Sequence, residues 1–437
     1  MQTHSPPTDM EAIENALTNL RISTANNPTQ AVALLAEASK QSIPAREQLA
    51  GPLILRTLTE IIETSINDSL ETVDVALRCI GNACIDNSVA REAVTNIGFS
   101  WASLCLRDGS SSDIATRRLT AKVLYNICSD YEPAQQQCYR EMLHHQLINL
   151  CARDSHQQPP DDIELLLELL FWICSQKDQV AQDLSTTTND ATSLPGHILD
   201  KLISLPHAYR SSLEPEDFAL LLETCLIFFR DPSIQRDILV RNQLTPVWRI
   251  LKENEVKISS LGEDSEDRKL LVPLSTSLIW CLSDIAASPG IPAETLADVH
   301  TAFIKVVVVV AIKAGANDRG NERLAIAGCQ VLGNLLWSGK PVASDVVEDA
   351  ALQHSVLALL NTSRDVELLH SAAGLLVQLS RSSVEVREDI LQQDGIKLLR
   401  ALGKDSVVNQ QRFAELAREV VLSSSADGDT AMVEAPE

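Results

Sequence analysis

The residues best able to carry out chemistry form no catalytic arrangement in this 437-residue chain. The sequence lacks the glycine patterns that hold phosphates, the HExxH zinc motif and the GxSxG nucleophile motif. His144 and His145 are adjacent and would diverge by about 100° on a helix, which suits a shared metal poorly. Glu164 and Glu168 are four residues apart, where a solvated helix face is the expected role. We therefore predict no enzyme, no metal site and no cofactor.

A polar or aromatic residue recurs at one position of a repeated apolar run, for example in ALRCIGNACIDN, TAKVLYNICSDY and GCQVLGNLLWSG. The recurring residues are Asn82, Asn126, Trp172, Asp284, Asn334 and Gln378, with spacings of 44, 46, 112, 50 and 44. The spacing of 112 leaves room for one more unit near LLLETCLIFFRD, from Leu220 to Asp231.

These runs must be positioned by stacked helices. Apolar residues recur at helical spacing, as at Leu77, Ile80 and Cys84, which predicts amphipathic helices that cannot bury their apolar faces alone. A period near 44 without strand signals is typical of a helical solenoid. A second amphipathic segment follows the first run, from Arg91 to Arg107, and another follows the last run, from Arg387 to Lys404. The glycines of NIG (Gly98) and QDG are each predicted to cap one helix before the next begins. Irregular stretches are expected at 185–196, 261–268 and 314–321.

The predicted organisation has five parts. Residues 1–10 are expected to be disordered, 11–70 to form an N-terminal helical cap or degenerate repeat, and 71–404 to form the solenoid. Residues 405–422 are expected to form a capping helix, followed by a disordered acidic tail at 423–437. The solenoid prediction implies about seven stacked repeats with caps.

Charge, cysteine usage and hydropathy further limit the possible partners and the cellular location of the protein. Basic residues number 36 against 59 acidic ones, and a formal charge of −23 argues against sequence-independent binding to nucleic acid. The ten cysteines form no CxxC pair, and most of them fall singly in apolar runs. They are expected to be buried free thiols in a reducing compartment. The start of the chain is polar, and the apolar stretch 303–311 is too short to span a bilayer. We expect a soluble cytoplasmic or nuclear protein without a transmembrane segment. A monomeric state is compatible with the sequence.

The segment ALRCIGNACIDNSVAREAVTNIG, from Ala76 to Gly98, resembles the armadillo repeat. It has the AL-x-x-x-GN core of a third helix, a DN turn, an Arg that opens the next helix and a Gly that closes it. The resemblance covers roughly residues 71–404 and is weakest from 185 to 273. It implies an all-α fold, an armadillo-type right-handed helical solenoid (an α-α superhelix), whose third helices line a concave groove.

Within armadillo proteins, the form LR-x-IGN-x-C-x-DN-x-x-x-R is similar to the guanine-nucleotide dissociation stimulators of Rap and Rho proteins. That resemblance implies a regulator that binds small GTPases of the Ras, Rho or Rap type through a basic, prenylated C-terminal tail. It also implies exchange-factor activity, meaning promotion of GDP release, and a chaperone role. The alternative is a scaffold similar to ataxin-10, without exchange activity.

An importin-α-like adaptor requires Trp four residues before the Asn of each third helix. Arg78, Lys122 and Gln330 occupy those positions instead, and only Trp280 with Asp284 has the aromatic-then-polar spacing. The candidate partner-binding residues on the groove are Arg78, Asn82, Asp86, Asn87, Lys122, Asn126, Asp130, Trp172, Trp280, Asp284, Gln330 and Asn334. Glu168 accompanies Trp172, and the acidic residues Glu263, Asp264, Glu266 and Asp267 are further candidates for attracting a basic partner.

Overall fold

The computed structural model describes residues 29–109, 111–154, 162–184, 194–289, 301–340 and 342–392. Within these ranges the regular secondary structure consists of helices, without a strand. The predicted capping helix at 405–422, the two terminal segments 1–10 and 423–437, and the QDG glycine lie outside the described residues. The chain divides into two compact units, Met1–Ile227 (unit 1) and Phe228–Glu437 (unit 2).

Unit 1 contains twelve complete described helices and most of a thirteenth, α13, whose last two residues belong to unit 2. They are α1 (Thr29–Gln41), α2 (Ile43–Leu49), α3 (Pro52–Ser65), α4 (Leu70–Cys84), α5 (Ser88–Ile97), α6 (Ser100–Leu106), α7 (Ile114–Cys128), α8 (Glu132–Arg140), α9 (Leu143–Asp154), α10 (Ile163–Cys174), α11 (Lys177–Leu184), α12 (Gly196–Tyr209) and α13 (Pro215–Phe229).

Unit 2 continues the helical pattern after α13. Its described helices are α14 (Pro232–Val240), α15 (Leu244–Ser259), α16 (Glu266–Ala287), a π-helical turn at Ile304–Val308, α17 (Val309–Asn317), a 3₁₀ turn at Arg319–Asn321, α18 (Glu322–Trp337), α19 (Ser344–Val347), α20 (Ala350–Thr362), α21 (Val366–Ser382) and α22 (Val384–Gln392).

The long helices that carry the recurring apolar runs stack on one another within each unit. In unit 1, α4 packs between α1 and α7, and α7 also packs on α10. In unit 2, α18 packs between α16 and α21. We call these the third helices. Because each presents its apolar face to its neighbours, Leu77 and Ile80 of α4 are fully buried. The all-α solenoid fold predicted from the sequence is confirmed.

Polar side chains close both ends of these helices. The Asp113 carboxylate accepts a hydrogen bond from the backbone N–H of Thr116 at 2.8 Å, and Asp365 caps α21 in the same way. At the other end, a side chain from the following helix donates to a last carbonyl of the preceding one. Four such closing bonds are Arg46 Nε to Ser39 O (2.9 Å), Arg91 Nε to Cys84 O (3.0 Å), Gln135 Nε2 to Cys128 O (2.8 Å) and Gln235 Nε2 to Phe229 O (2.9 Å).

All ten cysteines are free and buried, as predicted. The close approach of α7 explains the glycine of the GN pair, because a Cβ at Gly81 would come within 3.1 Å of the Val123 side chain. Gly98 ends α5 with φ 93°, which confirms its predicted closing role.

Two predicted irregular stretches are partly helical. The expected loop at 261–268 ends early, because α16 begins at Glu266. Glu266 and Asp267 occupy its first turn, where carboxylates complement the helix dipole. The irregular stretch expected at 314–321 begins only after Asn317, because α17 continues to that residue. Among the described helices, α16 alone has the length and apolar composition of a membrane span, and half of its most apolar window is buried within the protein.

Candidate partner-binding surfaces

The three asparagines of the repeated GN or YN motif bind the preceding third helix. Asn82 Nδ2 on α4 donates to Ser39 Oγ on α1 at 3.0 Å, and Asn334 Nδ2 on α18 donates to Ser283 Oγ on α16 at 2.7 Å. Asn126 Nδ2 makes a longer bond of 3.4 Å to the Gly81 carbonyl. All three are half-buried. Their amide nitrogens therefore brace adjacent repeats, and their amide oxygens can accept a hydrogen bond from an incoming peptide.

The residues one turn before these asparagines are divided between solvent and the stack. Arg78 and Lys122 are exposed, and Lys122 Nζ lies 3.1 Å from a carboxylate oxygen of Asp162. Gln330 Nε2 donates to Ser371 Oγ on α21 at 3.1 Å. Only Arg78 of the three extends into solvent without a described polar partner.

The predicted residues Asp86 and Asp130 lie in the turns that follow α4 and α7. Both are exposed and adopt the left-handed conformation, with φ of 52° and 51°. Asp tolerates this region better than most side chains, so the residue type serves the turn as well as any partner. Asn87 caps α5 by accepting a hydrogen bond from the Ala90 N–H at 3.1 Å. Asp86 and Asn87 line an open cleft of about 480 Å³ together with Ile43, Arg46, Glu47, Ala50, Ile85, Ser88 and Val89.

An aromatic and acidic cluster occupies the third helices of unit 1. The Tyr125 and Trp172 ring centroids are 4.8 Å apart, and Tyr125 donates its hydroxyl hydrogen to Glu168 Oε2 at 2.7 Å. This hydrogen bond, with partial burial, raises the pKa of Tyr125 to about 12. Trp172 is thus half-buried against a neighbouring repeat, although the sequence left platform and core roles equally open.

Further carboxylates converge beside that pair. Partial burial raises the pKa of Asp217 at the start of α13, and the nearby charges of Glu164, Glu216, Glu214 and Glu168 raise it further. Glu164 and Glu168 stand on α10, so two helices supply the charge. We name the following residues the unit 1 acidic surface: Tyr125, Glu164, Glu168, Trp172, Glu214, Glu216 and Asp217.

Sequence reasoning missed most of this surface. The spacing of Glu164 and Glu168 predicts a solvated face, and the only other signal is the run of acidic residues in LEPEDF at the start of α13. The two acidic segments are about 50 residues apart, and only the stacking of the repeats brings them together.

In unit 2 the predicted residues Trp280 and Asp284 are exposed on α16. A second exposed tryptophan, Trp337, is the last residue of α18 and lies three residues after Asn334. It is not among the candidate partner-binding residues predicted from the sequence. The side chains of Trp280 and Trp337 are 58% and 66% exposed, whereas Trp101 and Trp248 are buried. Among the described residues, no group of three His, Cys, Asp or Glu side chains is placed to hold a metal ion.

The helix order and stacking within each unit define an all-α protein built of stacked helical repeats. No protein-family model matches the chain, and no curated protein matches it. Among solved structures, an engineered protein is 15% identical at a TM-score of 0.39, covering 94% of this chain and 98% of its own. A chain from a structure of the interaction between cadherin and beta-catenin is 14% identical at a TM-score of 0.33, and the match covers 97% of this chain and 92% of that chain. A chain from a SYS-1/POP-1 complex is 11% identical at a TM-score of 0.48, and the match covers 95% of this chain and 65% of that chain.

Proposed function

We propose that this chain is a protein-binding scaffold that holds a basic segment of its partner on the unit 1 acidic surface. The observation that carries the proposal is the convergence of five carboxylates beside the Tyr125–Trp172 pair, four of them on α10 and α13 and one, Glu214, directly before α13. Mutual repulsion among these carboxylates is relieved when a cation enters, so a basic segment lowers the energy of the surface as it binds. The overall charge of −23 adds long-range attraction for such a partner.

The finer proposal concerns the partner. The resemblance of Ala76–Gly98 to dissociation-stimulator proteins suggests a small GTPase of the Ras, Rho or Rap type with a polybasic tail. Holding that tail would place the GTPase against the repeats, where further contacts would weaken GDP binding and shelter the tail as a chaperone does. Such exchange activity requires no bond-making residue, because partner and nucleotide weaken each other's binding. We also propose a cytoplasmic or nuclear location, where buried free thiols persist.

The second candidate is a scaffold similar to ataxin-10 without exchange activity. It shares the acidic surface and differs only in what binding does to the nucleotide. The two are separated by measuring fluorescent-GDP release from Rho, Rap and Ras proteins with intact basic tails, with and without this protein. Binding with unchanged GDP release supports the scaffold, whereas accelerated release supports the exchange factor.

The acidic surface itself is tested with a fluorescent Lys-rich peptide. We expect the double variant Glu164→Gln/Asp217→Asn to weaken peptide binding about tenfold at low salt, because two carboxylates facing the ligand are lost. The matched control is Glu60→Gln/Glu71→Gln, which removes two exposed unit 1 carboxylates elsewhere, on α3 and α4. Equal weakening by both double variants would show that net charge alone acts, and this would overturn the proposed site. Asp86→Asn/Asp130→Asn measures the contribution of the two turn carboxylates in the same assay.

A further inference from the structure

The lysine that follows α18 in unit 2 is tied to the ends of two neighbouring helices. Gly339 ends α18 with φ 66°, and the backbone N–H of Lys340 then donates to the Leu335 carbonyl at 3.0 Å, as in the turn that commonly closes a helix. The side chain of the same lysine reaches α16, where its Nζ donates to the Ala286 carbonyl in the last turn. Lys340 therefore has a fixed position at the carboxyl ends of two packed helices.

The surroundings of this amino group differ from those of other lysines in the protein. Four lysines bind a carboxylate, namely Lys122, Lys269, Lys305 and Lys313. Lys340 is half-buried, and within the described ranges its amino group binds a neutral carbonyl and no carboxylate. The carboxylates nearest in sequence to the two ends of this bond are Asp284 on α16 and Asp345 on α19. Neither forms an ion pair with Lys340, and Asp345 binds Lys305 instead.

This position favours the neutral amine over the ammonium ion. Burial alone lowers the pKa of Lys340 to about 8 from the usual 10.5, because it penalises the charged form. At pH 7.5 about a quarter of this nitrogen is neutral, compared with about one part in a thousand for a lysine of ordinary pKa. Only the neutral amine has a lone pair for nucleophilic attack. One of its N–H groups still donates to the Ala286 carbonyl, which turns the lone pair away from that oxygen.

We propose that Lys340 is an acylation site, at which the side-chain amine accepts an acyl group from a thioester of the acyl-coenzyme A class. The nitrogen attacks the thioester carbonyl, a C–N bond forms, the C–S bond breaks, and the proton lost by the nitrogen neutralises the departing thiolate. An amide suits this position, because its N–H can still donate to the Ala286 carbonyl and the half-buried nitrogen no longer carries a charge. The site lies in unit 2 and does not depend on the proposed function of unit 1.

The test measures the acetylation of individual lysines in the folded full-length chain by acetyl-coenzyme A at pH 7.5. A deuterated acetyl donor is used at low conversion, the chain is then unfolded, and the remaining amines are blocked with unlabelled acetic anhydride. Mass spectrometry gives the labelled fraction at each lysine. The matched control is Lys252 on α15, which is exposed in the same unit and has no carboxylate partner among the described residues. We expect Lys340 to react at least about tenfold faster than Lys252.

Two further measurements separate the effect of the fold from that of the local sequence. The rate at Lys340 should level off between about pH 8 and 9, whereas the rate at Lys252 should keep rising across that range. In concentrated urea the two lysines should react at similar rates, because α16 no longer covers Lys340. Equal or slower acetylation of Lys340 in the folded chain would overturn the inference, as would a rate there that keeps rising through pH 9. A preference for Lys340 that persists in urea would overturn it too, because packing against α16 would then not be the cause.

Discussion

The two units use the aromatic residues of their third helices in opposite ways. In unit 1, Trp172 is packed on Tyr125, whose hydroxyl binds Glu168, so a neighbouring repeat covers much of the indole. In unit 2, Trp280 and Trp337 project into solvent, and no described ring packs on either. One repeat architecture thus gives core or surface according to whether the neighbouring helix supplies a large partner side chain. The residue type alone does not decide.

The units differ equally in their thiols. Unit 1 contains eight of the ten cysteines, and unit 2 contains only Cys281 and Cys329. Burial raises the pKa of six thiols in unit 1, including Cys84 and Cys105 to about 12. In unit 2 it raises the pKa of Cys281 to about 11 and of Cys329 to about 12. The folded state therefore holds its thiol protons at a pH where the unfolded chain releases them.

The largest predicted effect is a loss of stability in alkali that falls mainly on unit 1. Above about pH 9 the unfolded chain binds fewer protons than the folded chain, so each buried thiol costs about 1.4 kcal/mol per pH unit. Unit 1 should lose several kcal/mol more than unit 2 by about pH 10. Burial also lowers the pKa of Lys340 in unit 2 to about 8 from 10.5, so that group adds stability as the pH rises between those values.

The measurement is urea unfolding at pH 7.5 and pH 10, with pulsed alkylation of thiols located by mass spectrometry. Unit 1 cysteines should become reactive at much lower urea in alkali, and those of unit 2 at only slightly lower urea. The control variant Cys79→Ala should reduce the alkaline loss of unit 1. The same loss in both units would show that the thiols do not govern it.

An intermediate effect is expected from deleting the indoles. Trp172→Ala should destabilise unit 1 by about 2 kcal/mol, because it removes a half-buried ring and leaves Tyr125 without its aromatic neighbour. Trp337→Ala should change the free energy of unfolding by less than about 0.5 kcal/mol, since the side chain is mostly solvated. Thermal and urea unfolding measure both. Trp172→Phe, which keeps a ring on Tyr125, should recover much of the loss, and equal costs for Trp172→Ala and Trp337→Ala would remove the contrast.

The smallest effect concerns a turn that recurs in both units. Gly98 caps the C-terminus of α5, whereas Met142 and Asn242 each lie two residues after the end of α8 and α14, and all three have positive φ, of 93°, 58° and 58°. Met pays a steric cost there that Asn largely avoids. Met142→Gly in unit 1 should stabilise by up to about 1 kcal/mol, and Asn242→Gly in unit 2 by about 0.3 kcal/mol or less. Chemical denaturation at several urea concentrations resolves the difference; greater stabilisation by Asn242→Gly would contradict the steric argument.

The sequence predicts those features that repeat at a fixed spacing. The period of apolar runs predicts the helices and the buried thiols, and the motif asparagines are found on equivalent third helices. Features that depend on neighbouring repeats escape it. Asp217 joins Glu164 and Glu168 only because α10 and α13 bring their charges together. Trp337 was not predicted because it lies three residues after Asn334, whereas the importin-α-like pattern requires a Trp four residues before the Asn.

The closing bonds of Arg46, Arg91, Gln135 and Gln235 have a consequence for synthesis on the ribosome. Each donor follows the carbonyl that it closes by six or seven residues. The end of a finished helix is therefore closed after only about two further turns of chain, well before the next repeat has emerged. Arg91 then also donates to the Ser129 carbonyl, 38 residues later, so one side chain first closes its own repeat and afterwards fastens the next as it arrives. The order of translation and the order of assembly can thus coincide, and nascent repeats need not wait for the C-terminus.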